Sequence, residues 1–281
     1  MDMPRVENNF FGELMVVLVL YEMEIHDSSA VISLTTALQS IQQTTSIFIY
    51  DNSKSAHTLT LGENWQITYR HDPNNPGVSK AYNEGFKCAK AQNKSWMLLV
   101  DQDTEFEKDF LLKIGGAIKT NSDQKLIVPI MMDKKGIVSP FHFHFGRGIR
   151  LDRINPGKYH LAQKKFINSG ALISRDLFEL AGGFDERYKL DFSDLTFIER
   201  LKKHQERFLV INEICEHNHS SQENNFLKSK DRFIYFVKAS RLYGDMFGPS
   251  FFLSVNKFFR AIKLSLKFKS LEFLKLLNQT K

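Results

Sequence analysis

The sequence predicts an α/β fold with a helical extension at its carboxyl end. Two observations carry the α/β reading. Short apolar runs that suit buried strands alternate with segments of helical periodicity. Acidic residues also stand just past the ends of two of those runs, at Asp51 and Asp101, and in open α/β sheets that edge is where ligands bind. A third observation marks the extension. Residues 250–281 hold seven basic side chains and one acid, Glu272, so the whole formal charge of +6 sits there and the preceding body is formally neutral.

The elements follow in order. Met15 to Tyr21 is a continuous apolar run, as expected of a central parallel strand covered on both faces. Residues 28–43 read as a helix with Ala30, Ile32, Leu34, Ala37, Leu38 and Ile41 as its apolar positions. Ser46 to Tyr50 is a second strand, ending at Asp51-Asn52-Ser53, and Trp65 to Tyr69 is a third. Asn74 to Ser79 is a turn entering a helix over Lys80–Lys90. Trp96 to Val100 is a fourth strand, ending at Asp101-Gln102-Asp103. Farther on, Phe106–Lys119 is expected to be helical and Leu126–Met131 a strand. Residues 136–160 carry Gly, Pro and His without a clean period and suit a loop-rich segment or hairpin. Phe166–Ser174 is strand-like. Arg175–Ala181 is a helix ended by Gly182-Gly183. Leu195–His204 is a further helix, and Phe208–Ile214 a strand followed by His217-Asn218-His219.

Composition bounds the class. The chain has 281 residues, 42% apolar and 25% charged, with seven prolines. That excludes wholesale disorder and collagen-like structure and suits a folded, soluble protein. Cys88 and Cys215 are far apart with no metal spacing, which fits a reducing compartment. The first apolar run is too short to span a bilayer and does not read as a leader. A neutral body with a basic, Phe- and Leu-rich tail points to an anionic surface rather than to nucleic acid.

Several constellations carry chemistry. Asp101-Gln102-Asp103 places two carboxylates at i and i+2, where a sharp turn lets both reach a hard cation such as Mg²⁺ or Mn²⁺. Taken alone, it also reads as an ordinary strand end. Asp51 suits either an Asx turn or a contact to a nucleobase N–H. Gly77 supplies a tight turn or a close backbone approach to a ligand, and Asn83 is polar on a helix that should pack. Asp194 is a natural N-cap or first-turn acid, or a general base. His217 and His219 can ligate a metal or bind phosphate.

In this order and spacing, the motifs resemble those of nucleotide-sugar glycosyltransferases of the GT-A type, family 2, with the rhamnosyltransferase-like branch closest. The resemblance covers roughly residues 13–222. It rests on Asp51-Asn52-Ser53, the segment Asn75 to Gly85, Asp101-Gln102-Asp103, the block Asn168 to Arg175, and Gly182-Gly183-Phe184-Asp185-Glu186 running to Asp191 and Asp194. It implies a Rossmann-like mixed sheet flanked by helices, a GT-A catalytic domain over residues 1–222 and a helical, basic, amphipathic extension over 223–281. It also implies metal-dependent, inverting transfer of a sugar, rhamnose from dTDP-rhamnose first, to a saccharide acceptor in cell-surface polysaccharide assembly. The alternatives are a UDP-hexose donor, or a degenerate nucleotide-sugar-binding protein.

Residue by residue, the resemblance implies that Asp51 meets the base, and that Asn75, Gly77 and Asn83 line the donor pocket. Asp101 lies near the ribose or the metal, and Asp103 ligates Mg²⁺ or Mn²⁺. Arg200 matches the arginine of the late helix and binds the donor, and His219 lies near the diphosphate, also as a metal candidate. Asp194 is the base. Asp191, Arg147 and Arg150 stand on the acceptor side. Two departures stand out: Thr196 replaces a position that is often acidic, and the first strand ends in Tyr21-Glu22-Met23-Glu24 instead of an Asn-containing loop.

The expected partners are a nucleotide-diphospho-sugar, a lipid-linked saccharide acceptor and an anionic membrane surface, with no nucleic acid. The expected place is the cytoplasmic face of a bacterial cell membrane. On a helical wheel, Val255, Phe258, Phe259, Ile262, Leu266, Phe273, Leu276 and Leu277 share one arc opposite most of the basic residues. The competing reading is that the extension packs on the catalytic domain or on a second copy in a homodimer.

Overall fold

The computed structural model describes residues 9–217, 225–248 and 251–279. Helix α1 (Asn9–Glu13) leads into β1 (Leu14–Leu20). With β2 (Thr45–Asp51), β3 (Trp65–His71) and β4 (Trp96–Asp101), it forms the parallel half of the sheet, in spatial order β3-β2-β1-β4. Beyond β4 the sheet becomes mixed. The short strand β11 (Leu172–Ser174) runs antiparallel to both β4 and β6 (Leu126–Asp133). β6 lies parallel to β12 (Arg207–His217), and β10 (Gly157–His160) closes that edge antiparallel. This is the mixed α/β architecture expected from the sequence.

β1 shows why both faces must be covered. Leu14, Val16, Leu18 and Leu20 join one core, with α2 (Ser29–Ser40) and α4 (Phe110–Thr120). Met15, Val17 and Val19 join the other, with α3 (Val78–Ala91), α5 (Arg175–Leu180) and α6 (Ser193–Leu201). Successive side chains on a strand point to opposite faces, so an unbroken apolar run is what a doubly covered strand requires. α3 approaches closely: a Cβ on Gly85 would lie 2.3 Å from Val17 Cγ1. Gly85→Ala is therefore expected to lower stability by about 1–3 kcal/mol through overpacking, although alanine favours helix by about 1 kcal/mol. A chemical denaturation midpoint at or above wild type would contradict this.

Some boundaries differ from the sequence reading. α4 begins at Phe110, because Phe106 N–H donates to Ser33 Oγ and the chain turns there before the helix. Strand β11 starts only at Leu172, because Gly170 has a φ of 79° and breaks the extended run. The loop-rich stretch contains β7 (Gly136–Ser139), paired with β6, and a separate hairpin of β8 (His142–His144) and β9 (Arg147–Ile149).

The extension is three helices, α7 (Phe226–Phe247), α8 (Phe251–Phe268) and α9 (Glu272–Gln279). Phe233, Val237, Ala261, Phe273 and Leu276 form a small core among them. A second cluster, Phe141, Tyr188, Phe192, Leu195, Ala239 and Leu253, joins α7 and α8 to the body. The single apolar arc expected across the tail is corrected here. Lys269 adopts a φ of 51° and separates α8 from α9, so Phe273 and Leu276 turn inward. Phe251, Phe252, Phe258, Phe259 and Leu266 remain exposed on α8. Among the described residues, no helix is long and apolar enough to cross a membrane.

Candidate active site

The site lies at the carboxyl edge of the parallel strands. β1 leads through α2 to β2 on one side, while β4 lies on the other, so the ends of β1 and β4 mark the switch point at which open α/β sheets bind ligands. The register places Asp51 beside Leu20 and Asp101 beside Val19. The loop after β4 is pinned from several directions. Gln102 Oε1 accepts from Tyr21 N–H at 2.7 Å, and the Gln102 carbonyl accepts from Ser28 Oγ, the N-cap of α2, at 2.8 Å. Strand β5 (Thr104–Glu105) pairs with the end of β12, and Thr104 Oγ1 lies 2.7 Å from Ser169 Oγ.

These ties hold Asp101 and Asp103 in place. Asp101 Oδ1 accepts from the buried Tyr82 hydroxyl at 2.8 Å, and its N–H donates to Ser169 Oγ. Burial, then Asp101, Asp103 and Asp194, all push the Tyr82 phenol well above its ordinary pKa. Tyr82 thus binds Asp101 directly and feels the charges of Asp103 and Asp194. His217 Nδ1 lies 3.5 Å from Asp103 Oδ1. His219 lies outside the described residues.

Asp194 sits in the first turn of α6, with Oδ1 accepting from Leu195 N–H at 2.8 Å. Its carboxyl is pushed up to about 7: burial is the largest cause, the Leu195 hydrogen bond opposes it, and the charges of Asp191 and Asp101 add to it. A base titrating near neutrality is suited to taking a proton from a hydroxyl and giving it up again. The preceding residue but one, Phe192, has a φ of 68°, costly for a bulky side chain. It is held there by Tyr243 and Phe236 of α7, with ring centroids 5.1 and 5.9 Å away. The extension thereby fixes the turn that carries Asp191 and Asp194.

Several expected contacts are made within the protein instead. Asp51 is fully buried and accepts from Ser53 N–H and Tyr69 OH, with His57 Nδ1 2.8 Å away. Burial alone would raise its pKa, but these hydrogen bonds hold it below the ordinary value. Asp51 therefore organises the β2 edge and does not present a free carboxylate to a base. Asn83 accepts from Phe184 N–H and donates to the Phe184 carbonyl and to Glu186. Arg200 donates to the Gly182 and Gly183 carbonyls and pairs with Asp185 at 3.4 Å. Both clamp the loop between α5 and α6 through these contacts.

Gly77 likewise serves a backbone crossing. Its φ is 98°, and a Cβ there would lie 2.2 Å from the Lys189 carbonyl oxygen, which accepts from Val78 N–H. The Asn75 carbonyl meets Lys189 Nζ at 3.4 Å. Gly77→Ala should displace the Lys189–Asp194 segment and reduce turnover more than any other single methyl addition at this edge. Near-wild-type activity would show that the crossing is not needed. Of the three residues expected on the acceptor side, Arg150 makes a bidentate pair with Asp133, whereas Arg147 and Asp191 line a common cavity.

The sequence reading missed two residues. Asn52 and Asn168 each carry a buried side-chain oxygen without a hydrogen-bond partner, at the β2 edge and beside Ser169. Such orphans are uncommon in folded interiors and fit groups that a ligand completes. The DNS and NSG triplets were visible, but orphaned acceptors emerge only from packing.

Among the described residues, no three His, Cys, Asp or Glu side chains are arranged to hold a metal. Asp101 and Asp103 supply hard oxygen donors, which suits Mg²⁺ or Mn²⁺ only where substrate phosphates and water complete the shell.

Comparison with known proteins agrees with this geometry. The profile of the family described as glycosyl transferase family 2 matches residues 32–179, just over half of the chain. A curated relative, dTDP-rhamnosyl transferase RfbF of Shigella flexneri, is 25% identical over 128 residues, 45% of this chain and 43% of that protein. The chain thus aligns with less than half of that relative. Among solved structures, residues 1–349 of S. aureus TarS in complex with UDP superpose with a TM-score of 0.52 at 15% identity, covering 81% of this chain and 64% of that one. Whole TarS gives 0.58 at 15% identity, over 94% and 49% of the two chains. The complex of residues 1–349 with UDP-GlcNAc gives 0.50 at 16% identity, over 80% and 66%. At these identities, the structures show a shared fold.

Proposed function

The chain belongs to glycosyl transferase family 2, and from that premise we propose that it transfers a hexose from a uridine-diphosphate donor to a saccharide hydroxyl, inverting the anomeric centre. The observation that carries this reading is Asp194 in the first turn of α6, whose carboxyl is pushed up to about 7 by burial and by the charges of Asp191 and Asp101. Asp194 removes the proton from the acceptor hydroxyl. The freed oxygen attacks the anomeric carbon as the bond to the diphosphate breaks, and the diphosphate leaves with the electron pair. A divalent cation bound through Asp103 and Asp101 would offset charge on that leaving group. Tyr82 holds Asp101 in position, and Asn52 offers its orphaned oxygen to the N–H of the pyrimidine. The UDP and UDP-GlcNAc complexes of TarS support a uridine nucleotide on this fold.

A second donor, dTDP-rhamnose, is favoured by the Shigella flexneri relative. Titration calorimetry with UDP-glucose, UDP-GlcNAc and dTDP-rhamnose, with and without Mn²⁺, separates the two. Mn²⁺-dependent binding of a UDP-sugar supports the main reading, and tighter binding of dTDP-rhamnose replaces it with the second. Binding of none removes the transferase account.

We further propose that residues 1–222 form the catalytic unit, and that residues 223–281 dock it on an anionic membrane, at the cytoplasmic face, where a lipid-linked acceptor is held. Support comes from the exposed Phe258, Phe259 and Leu266 of α8, flanked by exposed Lys263 and Lys267. Each basic side chain near an anionic surface contributes roughly 1 kcal/mol. Replacing both Phe258 and Phe259 by Glu should reduce sedimentation with phosphatidylserine vesicles by about tenfold or more, given roughly 1.5–3 kcal/mol for each phenylalanine buried. Unchanged sedimentation, or loss of a dimer instead, would overturn membrane docking.

A further inference from the structure

The exposed apolar surface of α8 does not end at the extension. Phe251, Phe252, Phe258, Phe259 and Leu266 are exposed and, at about 100° per residue, share an arc of about 120° on that helix. The catalytic body adds a sixth side chain to them. Phe145, at the tip of the hairpin β8–β9, is 59% exposed, and its ring centroid lies 4.9 Å from that of Phe252, edge to face. Contiguous apolar patches of this kind mark surfaces that meet a partner.

The tip is built to hold the Phe145 ring outward. Phe145 has a φ of 53°, a left-handed conformation that is costly for a bulky side chain, and Gly146 follows at 69°. Asn256 of α8 donates to the Phe145 carbonyl at 2.7 Å. A Cβ on Gly146 would lie 2.9 Å from Leu253 Cδ2, so the tip backbone presses directly on α8. The backbone is thus fastened to the helix while most of the phenylalanine stays uncovered. Strained positions of this kind cluster where they serve a function, and a ring left more than half exposed adds little to the core.

Charge selects the partner. α8 carries Lys257, Arg260, Lys263 and Lys267 and no acid, and the hairpin over residues 142–149 adds Arg147 and likewise no acid. A second copy would set one cationic face against another. An anionic bilayer neutralises the charges and takes the aromatic rings into its interface. We propose that the catalytic body itself holds the membrane through the hairpin tip, with Phe145 entering the bilayer interface beside Phe251 and Phe252. The inference rests on the docking proposed above for the extension and adds a second anchor, on a different part of the chain. One helix lying on a bilayer leaves the body free to tilt, whereas two anchors fix its orientation. Arg260 of the same helix lies 3.6 Å from Asp191. The bilayer contact is therefore packed against the segment that carries Asp194.

Vesicles of phosphatidylserine and phosphatidylcholine, with and without brominated acyl chains, test this on the full-length protein. The two native tryptophans, Trp65 and Trp96, lie in the body, and wild type supplies their background. Phe145→Trp keeps an aromatic ring at the tip. Its emission should shift to the blue on vesicles, and brominated chains should quench it at least twofold more than wild type. Phe145→Ser should reduce vesicle sedimentation by about tenfold, as expected for one phenylalanine withdrawn from an apolar environment. If wild type sediments, but the added tryptophan is quenched no more than background and Phe145→Ser sediments equally well, the hairpin anchor fails and docking by the extension stands. Loss of a dimer in Phe145→Ser with unchanged sedimentation assigns the tip to an interface between copies and also overturns the anchor. If wild type does not sediment at all, the docking reading fails and takes the anchor with it.

Discussion

Asp194→Asn should lower turnover by about 10²–10⁴-fold, the range that a positioned general base contributes. Donor binding should remain, because the amide keeps the shape and Asp194 is not among the residues proposed to hold the diphosphate. The raised carboxyl adds two pH signatures. In wild type, kcat/KM should fall as pH drops below about 7, where Asp194 is protonated.

The stability signature has the opposite direction. The folded-state pKa of about 7 lies above the ordinary value of 3.8, so the folded protein binds more protons than the unfolded chain between those limits. Stability therefore falls as pH rises from about 4 to about 7. Asp194→Asn should remove that slope and make the unliganded protein more stable than wild type at pH 8, by roughly 2–4 kcal/mol at about 1.4 kcal/mol per unit. Parallel melting curves at pH 5 and pH 8 check it. An identical pH slope in the two proteins would show that Asp194 is not strained.

The second large effect is expected from Asp103→Ala. On this reading, Asp103 joins the donor diphosphate through a divalent cation, and its loss should weaken Mn²⁺-dependent donor binding by about 10–100-fold or more, since even supporting residues of metal sites cost that much. The fold should tolerate the change. Removing one of the negative charges that act on the buried Tyr82 relieves repulsion in the unliganded protein, so the melting temperature should hold or rise. Donor affinity that responds to Mn²⁺ as in wild type would place the cation elsewhere.

The parallel half of the fold was legible because its causes are local. An unbroken apolar run such as Leu14–Leu20 has few options besides a doubly covered strand, and an acid at its neighbour's end marks the open edge. Site residues were harder, because spacing identifies a side chain but not its partner. Asn83 and Arg200 occupy motif positions, yet they close the loop around Phe184 through backbone contacts contributed from far away in the chain. Arg150 looked available for an acceptor until Asp133, seventeen residues earlier, took both its nitrogens.

The tail misled for a related reason. A wheel drawn through Leu277 assumes one helix, whereas the left-handed Lys269 resets the phase and sends Phe273 into a core with Phe233. Nor does local pattern reveal that α7 supports Phe192. That contact spans more than forty residues and depends on tertiary packing alone.

The most direct test is release of nucleoside diphosphate from UDP-glucose, UDP-GlcNAc and dTDP-rhamnose in the presence of Mn²⁺, followed for wild type and Asp194→Asn from pH 5.5 to 8.5. The account predicts turnover of at least one UDP-sugar, with a wild-type rate that rises through about pH 7 and is almost wholly lost in the variant. Release at equal rates by the two proteins, or none by wild type from any of the three donors, would contradict it.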